Sequence, residues 1–204
     1  MVSDPSSRER LPRGALPPLK ARIRELQWDD FQSLVENYYS LYEEVRRDPE
    51  LGITLFNQRP SMGDEAKWFA GRFKAIESGD SVVVVAEVDG RAVGICSIDR
   101  STANECGHIG SLGILVGRTW RGRGIGRELI RAAVEGAKGK FDLVTLSVFD
   151  TNRHAKHLYE SLGFRSWGLL PGGVRREARY IDLSYMVLDL RPSPLTRPSS
   201  EPRV

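Results

Sequence analysis

The stretch VGRTWRGRGIGREL, running from Val116 to Leu129, decides how this chain folds. An apolar run ends at Val116, Arg121-Gly122-Arg123-Gly124-Ile125-Gly126 follows, and the spacing of Ile125, Leu129, Ala133 and Val134 predicts a helix reaching about Gly139. Glycines at alternate positions let the main chain turn its amides toward one point, where the helix N-terminus adds partial positive charge. Together they make a phosphate cradle. A dinucleotide fingerprint fails, because the sixth position counted from Gly122 is Arg127 and the chain before it holds a hairpin rather than a βαβ opening. A P-loop fails as well, since no Gly-Lys-Ser or Gly-Lys-Thr follows the glycines. What remains is R-x-x-G-x-G, carried by Arg121, Gly124 and Gly126.

Working outward, Cys106 to Val116 is expected to be a strand, although Gly107, Gly110 and Gly113 interrupt it. Glycine weakens a strand unless the backbone bulges or something approaches closely, so these positions are a functional clue. Ser81 to Val88 and Ala92 to Asp99 flank Asp89-Gly90, a strong hairpin signal. Upstream, Ala21 to Leu26 alternates weakly as a first strand, and Phe31, Leu34, Val35, Tyr38, Leu41, Tyr42 and Val45 mark a helix capped by Asp29 or Asp30. A turn-rich stretch through Pro49, Gly52 and Pro60 leads to a second helix with Ala66, Phe69, Ala70, Phe73 and Ile76 on one face. Downstream, Leu143 to Phe149 reads as a buried strand, Ala155, Leu158, Tyr159 and Leu162 as a short helix stopped by Gly163, and Arg179 to Leu190 as the last strand. Helices and strands mixed around a central hairpin argue an α/β fold of α+β type, not a doubly wound parallel sheet.

The 204 residues are 40% hydrophobic and 28% charged, the composition of one globular domain with appendages. No apolar run of about 18 residues and no apolar secretory stretch is present, so the expected setting is cytoplasmic, with no membrane partner. Cys96 and Cys106 alone make neither a disulfide scaffold nor a zinc site, and no metal is expected. The formal charge is +3, yet residues 1–20 and 191–204 together carry +4 and the body −1. With the basic excess on the ends and no basic face on the body, nucleic acid is not expected as a partner. Eight of the eleven prolines also lie there, so both ends are expected to be disordered tails around a domain of residues 21–190.

A second segment gives the first its meaning. Asn152, Ala155, Tyr159, Gly163 and Phe164 form N-x-x-A-x-x-x-Y-x-x-x-G-F. Read alone, Asn152 is a helix cap and Tyr159 a core tyrosine. Together with R-x-x-G-x-G upstream, the pattern resembles the GNAT superfamily of acyl-coenzyme A N-acyltransferases over about residues 81 to 190, and more loosely over residues 21 to 80. The resemblance implies a mixed, mostly antiparallel sheet of about seven strands, splayed between strands 4 and 5 and flanked by about four helices. It implies acetyl-CoA as acyl donor, the pyrophosphate on Arg121, Gly122, Arg123, Gly124, Ile125, Gly126 and Arg127, and the pantetheine arm along Ile114, Leu115 and Val116. Asn152 would join the coenzyme site, and Tyr159 would protonate the departing thiolate as catalytic acid.

The implied reaction moves an acetyl group to a primary amine by direct attack in a ternary complex. The expected acceptor is a peptide or protein amine, on the ground of the helical N-terminal region and a loop Pro171-Gly172-Gly173-Val174-Arg175-Arg176 suited to an acidic partner. A small-molecule amine or amino acid is the alternative, as is a non-catalytic acyl-CoA-binding module, although the latter has no need of Tyr159. A homodimer stays open. Glu105, His108 and Asp182 are candidates for the general base, with His108 closest to neutrality in its ordinary pKa. Cys96 and Cys106 read as structural thiols on neighbouring strands.

Overall fold

In the computed structural model the described residues are 20–48, 51–53 and 58–192, so nearly all of both expected tails, and Pro49, lie outside them. Strand β1 (Arg22–Glu25) leads through a 3-10 turn (Trp28–Asp30) into helix α1 (Phe31–Arg47), which buries Leu34, Val35 and Leu41. Asp30 does not cap α1 with its side chain. Its carboxylate turns back to accept Arg24 Nη1 and Nη2 at 2.8 and 2.7 Å and the Gln27 amide at 2.8 Å. Helix α2 (Met62–Glu77) opens on a Ser61–Asp64 capping box.

Strands β2 (Ser81–Val88) and β3 (Arg91–Arg100) form the expected hairpin, with Asp89 and Gly90 at φ 49° and 76° as a two-residue primed turn requires. Then come β4 (Ile109–Val116), α3 (Ile125–Ala137), β5 (Leu143–Phe149), α4 (Arg153–Glu160), β6 (Arg165–Arg176) and β7 (Arg179–Asp189). They build one seven-stranded sheet in the order β1-β2-β3-β4-β5-β7-β6, antiparallel except for β4 beside β5. Helices α1 and α2 cover one face over Leu26, Leu34, Phe69, Val83 and Val85. The larger core, including Ile98, Leu129, Ile130, Val144 and Met186, lies under α3 on the other. Because β2 is covered on both faces, it reads as a continuous apolar run rather than an alternation.

Three expectations change. Strand β4 begins at Ile109, and Cys106 sits in a 3-10 turn (Asn104–Cys106), so Cys96 in β3 and Cys106 are not strand neighbours. Gly110 is a packing glycine: a Cβ there would stand 2.4 Å from Ile98 Cγ2 and 3.3 Å from Phe141, with no ligand involved. The expected loop of residues 171–176 belongs to β6, whose register shifts between Leu170 and Val174. That irregularity absorbs Pro171-Gly172-Gly173, which an edge strand tolerates and which hid the strand from periodicity.

The feature that makes a site is the parting of β4 and β5. They pair only over Ile109–Ser111 against Leu143–Thr145. Beyond that, Leu112–Val116 pair with β3 alone and Leu146–Phe149 with β7 alone, leaving a V-shaped gap in the middle of the sheet. Among the described residues no helix is long and apolar enough to cross a membrane.

Candidate active site

The register of β4 fixes which backbone groups face the gap. The Gly117 amide donates to the Val93 carbonyl at 2.9 Å, and Val116 stands opposite Gly94. Antiparallel pairs alternate, so Leu115 and Gly113 spend their amide and carbonyl on β3 while Leu112, Ile114 and Val116 turn theirs to the gap. Of the three residues expected to line a pantetheine arm, Leu115 therefore offers no free backbone. The Val116 carbonyl is also engaged, accepting from Arg121 Nε at 2.8 Å.

The glycine-rich turn stands at the open end of that gap. Gly122 and Gly124 have φ of 74° and 84°, the left-handed region in which a side chain is strained, and Gly124 is the N-cap of α3. The amides of residues 122–126 have no backbone acceptor among the described residues, whereas Arg121 N is spent on the Arg118 carbonyl. The Arg121 guanidinium is occupied in this structure, gripping Glu44 on α1, Nη1 to Oε2 at 2.7 Å. Arg123 lies over Trp120 at 5.8 Å with its Nε buried and unpartnered. Neither it nor Arg127 has an ion pair among the described residues, so both are free cations in the turn and the first turn of α3.

Helix α4 closes the other side. Asn152 caps it, its side-chain oxygen accepting the Ala155 amide at 3.1 Å, and a Cβ at Gly52 would stand 2.6 Å from its amide nitrogen. The structure thus gives Asn152 a positioning contact. Tyr159, 8% exposed, packs edge-on against Phe164 with ring centroids 5.8 Å apart. Burial, aided by nearby Cys96, pushes its phenol up to about 12. Gly126 brings the pieces together: a Cβ there would touch Leu158 Cδ2 at 3.6 Å and Ile114 Cδ1 at 3.8 Å. Cradle, strand edge and the helix bearing Tyr159 meet at one point.

On the opposite face of the same strand edge lies a cavity of about 850 Å³, walled by α1, α2 and β3 and floored by Gly113, Ile114 and Leu115. Leu34, Val35, Tyr38 and Trp68 make it largely apolar, with Arg59, Asp64 and Glu65 in its wall. Arg59 stacks over Tyr39 at 4.5 Å and carries no ion pair among the described residues. Glu65 is only 6% exposed, and its Oε1 is buried without a hydrogen-bond partner. Burial, with Asp64 beside it, raises its carboxyl above the ordinary range.

Sequence reasoning missed Glu65. It put Ala66, Phe69, Ala70, Phe73 and Ile76 on the inner face of α2, but Ala66 and Ala70 are exposed and the buried face runs through Glu65 and Phe69. A carboxylate four residues before a core phenylalanine was the available signal. The expected bases lie elsewhere. His108 and Glu105 are exposed at the end where β4 and β5 remain paired. At about 3.3 Å per residue, His108 is roughly 20 Å along the strand from Ile114. The Asp182 carboxylate is spent on the Gly172 amide at 2.8 Å, holding the irregular part of β6. Burial raises the Cys96 thiol pKa, leaving it inert. No three His, Cys, Asp or Glu side chains converge as metal ligands among the described residues.

An antiparallel sheet opened at its one parallel pair, with a glycine-built cradle at the opening, frames a phosphate-binding cleft in the middle of the sheet. The sequence profile of the acetyltransferase (GNAT) family matches residues 21–164, and the chain belongs to that family of acyltransferases. The L-amino acid N-acetyltransferase AaaT of Escherichia coli (strain K12) is 31% identical over 105 residues, 50% of this chain and 65% of that protein. The match therefore spans just under two thirds of that relative. The L-methionine sulfoximine/L-methionine sulfone acetyltransferase of Pseudomonas paraeruginosa is 26% identical over 143 residues, 68% of this chain and 81% of that one. Among solved structures, yncA from Salmonella typhimurium, determined with its cofactor acetyl-CoA, superposes with a TM-score of 0.74 at 19% identity, covering 89% of this chain and 99% of that one. That last likeness is one of fold.

Proposed function

We propose that this protein transfers the acetyl group of acetyl-CoA to the primary amine of an amino-acid-sized acceptor, by direct attack in a ternary complex. The reading is carried by the meeting of cradle, strand edge and α4 around Gly126, with a cavity opening on the other side of the same edge. The coenzyme pyrophosphate takes the free amides of residues 122–126, neutralised by Arg123 and Arg127. Arg121 acts indirectly, by fixing the turn to α1. The pantetheine amides pair with Ile114 and with the Val116 amide as an added half-strand, and an amide at this edge polarises the thioester carbonyl. Tyr159 protonates the departing thiolate, and Asn152 holds the helix that carries it.

The choice of a small acceptor over a peptide or protein amine follows from the cavity. Its volume of about 850 Å³ suits a compact ligand, and its wall offers both a carboxylate and an unpaired arginine, complementary to a zwitterion. The relatives named for acetylating L-amino acids and methionine derivatives support the same class. The segment once suited to an acidic partner is a strand, and Arg176 in it donates to the carbonyls of Leu51 and Ile53.

Two measurements test this. Calorimetry should show acetyl-CoA binding to the wild type and its loss in Gly124→Glu, which puts bulk and negative charge into the cradle while circular dichroism stays unchanged. A thiol-release screen over L-amino acids, polyamines and peptides should then find turnover among the amino acids. Undiminished binding by Gly124→Glu would sink the donor site, and turnover on peptides alone would sink the acceptor class.

A further inference from the structure

We propose that Glu65 is the general base of this acetyltransferase, taking the proton from the acceptor's ammonium inside the α1–α2 cavity. The inference rests on the acetyltransfer reading above and adds the residue that makes the amine nucleophilic.

A carboxylate in the interior is costly unless paired, and Glu65 is not paired. It is 6% exposed, its Oε1 has no hydrogen-bond partner, and it occupies a helix position that the period of α2 assigns to the core. Glutamine or leucine there would serve the fold better, so the position is explained by what enters the cavity. An ammonium group entering beside Gly113–Leu115 supplies the missing partner. The surroundings leave Glu65 as the group free to exchange a proton. From α1, Tyr38 faces it with a phenol held neutral by burial, next to Tyr42 at 3.4 Å. On α2 itself, Asp64 is held ionised by Ser61, and Arg72 is tied to Asp99 of β3 at 2.6 Å. Arg59, across the cavity, carries a fixed positive charge.

The step balances as follows. The ammonium N–H bond breaks and the proton passes to the Glu65 carboxylate. The freed nitrogen lone pair forms the N–C bond at the thioester carbonyl, and collapse of the tetrahedral adduct breaks the C–S bond. Tyr159 gives its hydroxyl proton to the sulfur and is reprotonated by the second proton leaving the nitrogen. Glu65 then releases its proton to solvent, so ammonium and thioester become amide, thiol and one proton. A carboxyl that burial raises above its ordinary range is a stronger base than an exposed one, because the gap to an amine is narrower.

The experiment is a pH profile of wild type and Glu65→Gln with whichever amino acid the wild type acetylates, alongside acetyl-CoA calorimetry and thermal melting. At neutral pH, kcat of Glu65→Gln should fall about a hundredfold or more. The acid limb that Glu65 sets in the wild type should give way in the variant to one set by the amine alone, the rate climbing about tenfold per pH unit with the fraction of neutral amine up to the amine's own pKa. Acetyl-CoA affinity should be unchanged, and the melting temperature should not fall, because an orphan carboxylate has been removed. A raised KM with unchanged kcat would overturn the role, leaving Glu65 a counter-ion for the ammonium. A wild-type profile in Glu65→Gln would overturn it outright while leaving the acetyltransferase reading intact. Failure of the wild type on every amine would overturn both.

Discussion

Removing the hydroxyl of Tyr159 tests the proposed acid role while leaving the packing of α4 in place. Its ring fills core space against Phe164, so Tyr159→Phe keeps nearly the same volume and should cost well under about 1.5 kcal/mol of stability. Coenzyme affinity should stay the same while kcat drops about a hundredfold, the pattern of a contact made in the transition state. Burial that pushes the phenol up to about 12 keeps it protonated across the neutral range, as the proposed acid role requires. The same burial has a stability consequence. With the folded-state pKa above the unfolded value of about 10, the folded protein holds this proton more tightly, so the contribution is complete below about pH 10 and lost as pH rises toward 12. Alkaline melting curves should show that loss in the wild type and a shallower decline in Tyr159→Phe; identical curves would contradict the burial argument.

The cradle between β4 and α3 is held in place by a long-range tie to α1. Glu44, 9% exposed, receives Arg121, 32% exposed, across the opening of the turn, and Arg121 also donates to the Val116 carbonyl. The turn is thereby pinned to the strand edge and to the first helix together. Glu44→Gln removes the charge without removing the side chain. A fully buried pair loses about 3–5 kcal/mol when one partner goes, but Arg121 is a third exposed, so roughly 1–3 kcal/mol is expected here. Acetyl-CoA affinity should fall several-fold as well, although Glu44 itself is spent on Arg121 and has no direct phosphate role. A variant that melts lower but binds the coenzyme as tightly as wild type would show that the tie serves stability alone.

For the molecule as a whole, residues 21–190 should suffice. Leu190 still donates its amide to the Asp142 carbonyl at 2.8 Å, so the sheet's hydrogen bonding runs to the end of that unit. A chain trimmed to 21–190 should melt within about 2 °C of the full length, since every core residue among the described residues is kept, and should bind acetyl-CoA equally well. A large drop in melting temperature would assign a packing role to one of the ends.

What could be read without coordinates was local. The glycine turn, the Asp89-Gly90 hairpin and the inner face of α1 are fixed by neighbours within a few residues, so spacing and turn chemistry reveal them. Tyr159 was singled out by the family pattern alone, since helical spacing reads it as core, and α2 was placed correctly but rotated by a residue, because Ala66 and Ala70 resemble core positions while Glu65 does not. The long irregular strand β6 was lost where Pro171-Gly172-Gly173 broke its alternation. Other features are relations between distant segments. The gap between β4 and β5, the turning of Ile114 rather than Leu115 toward it, the capture of Arg121 by Glu44 and the stranding of Glu65 all depend on which elements pack together. An ion pair spanning 77 residues and a carboxylate with no partner leave no periodic trace, since each is set by the tertiary surroundings and not by the chain beside it.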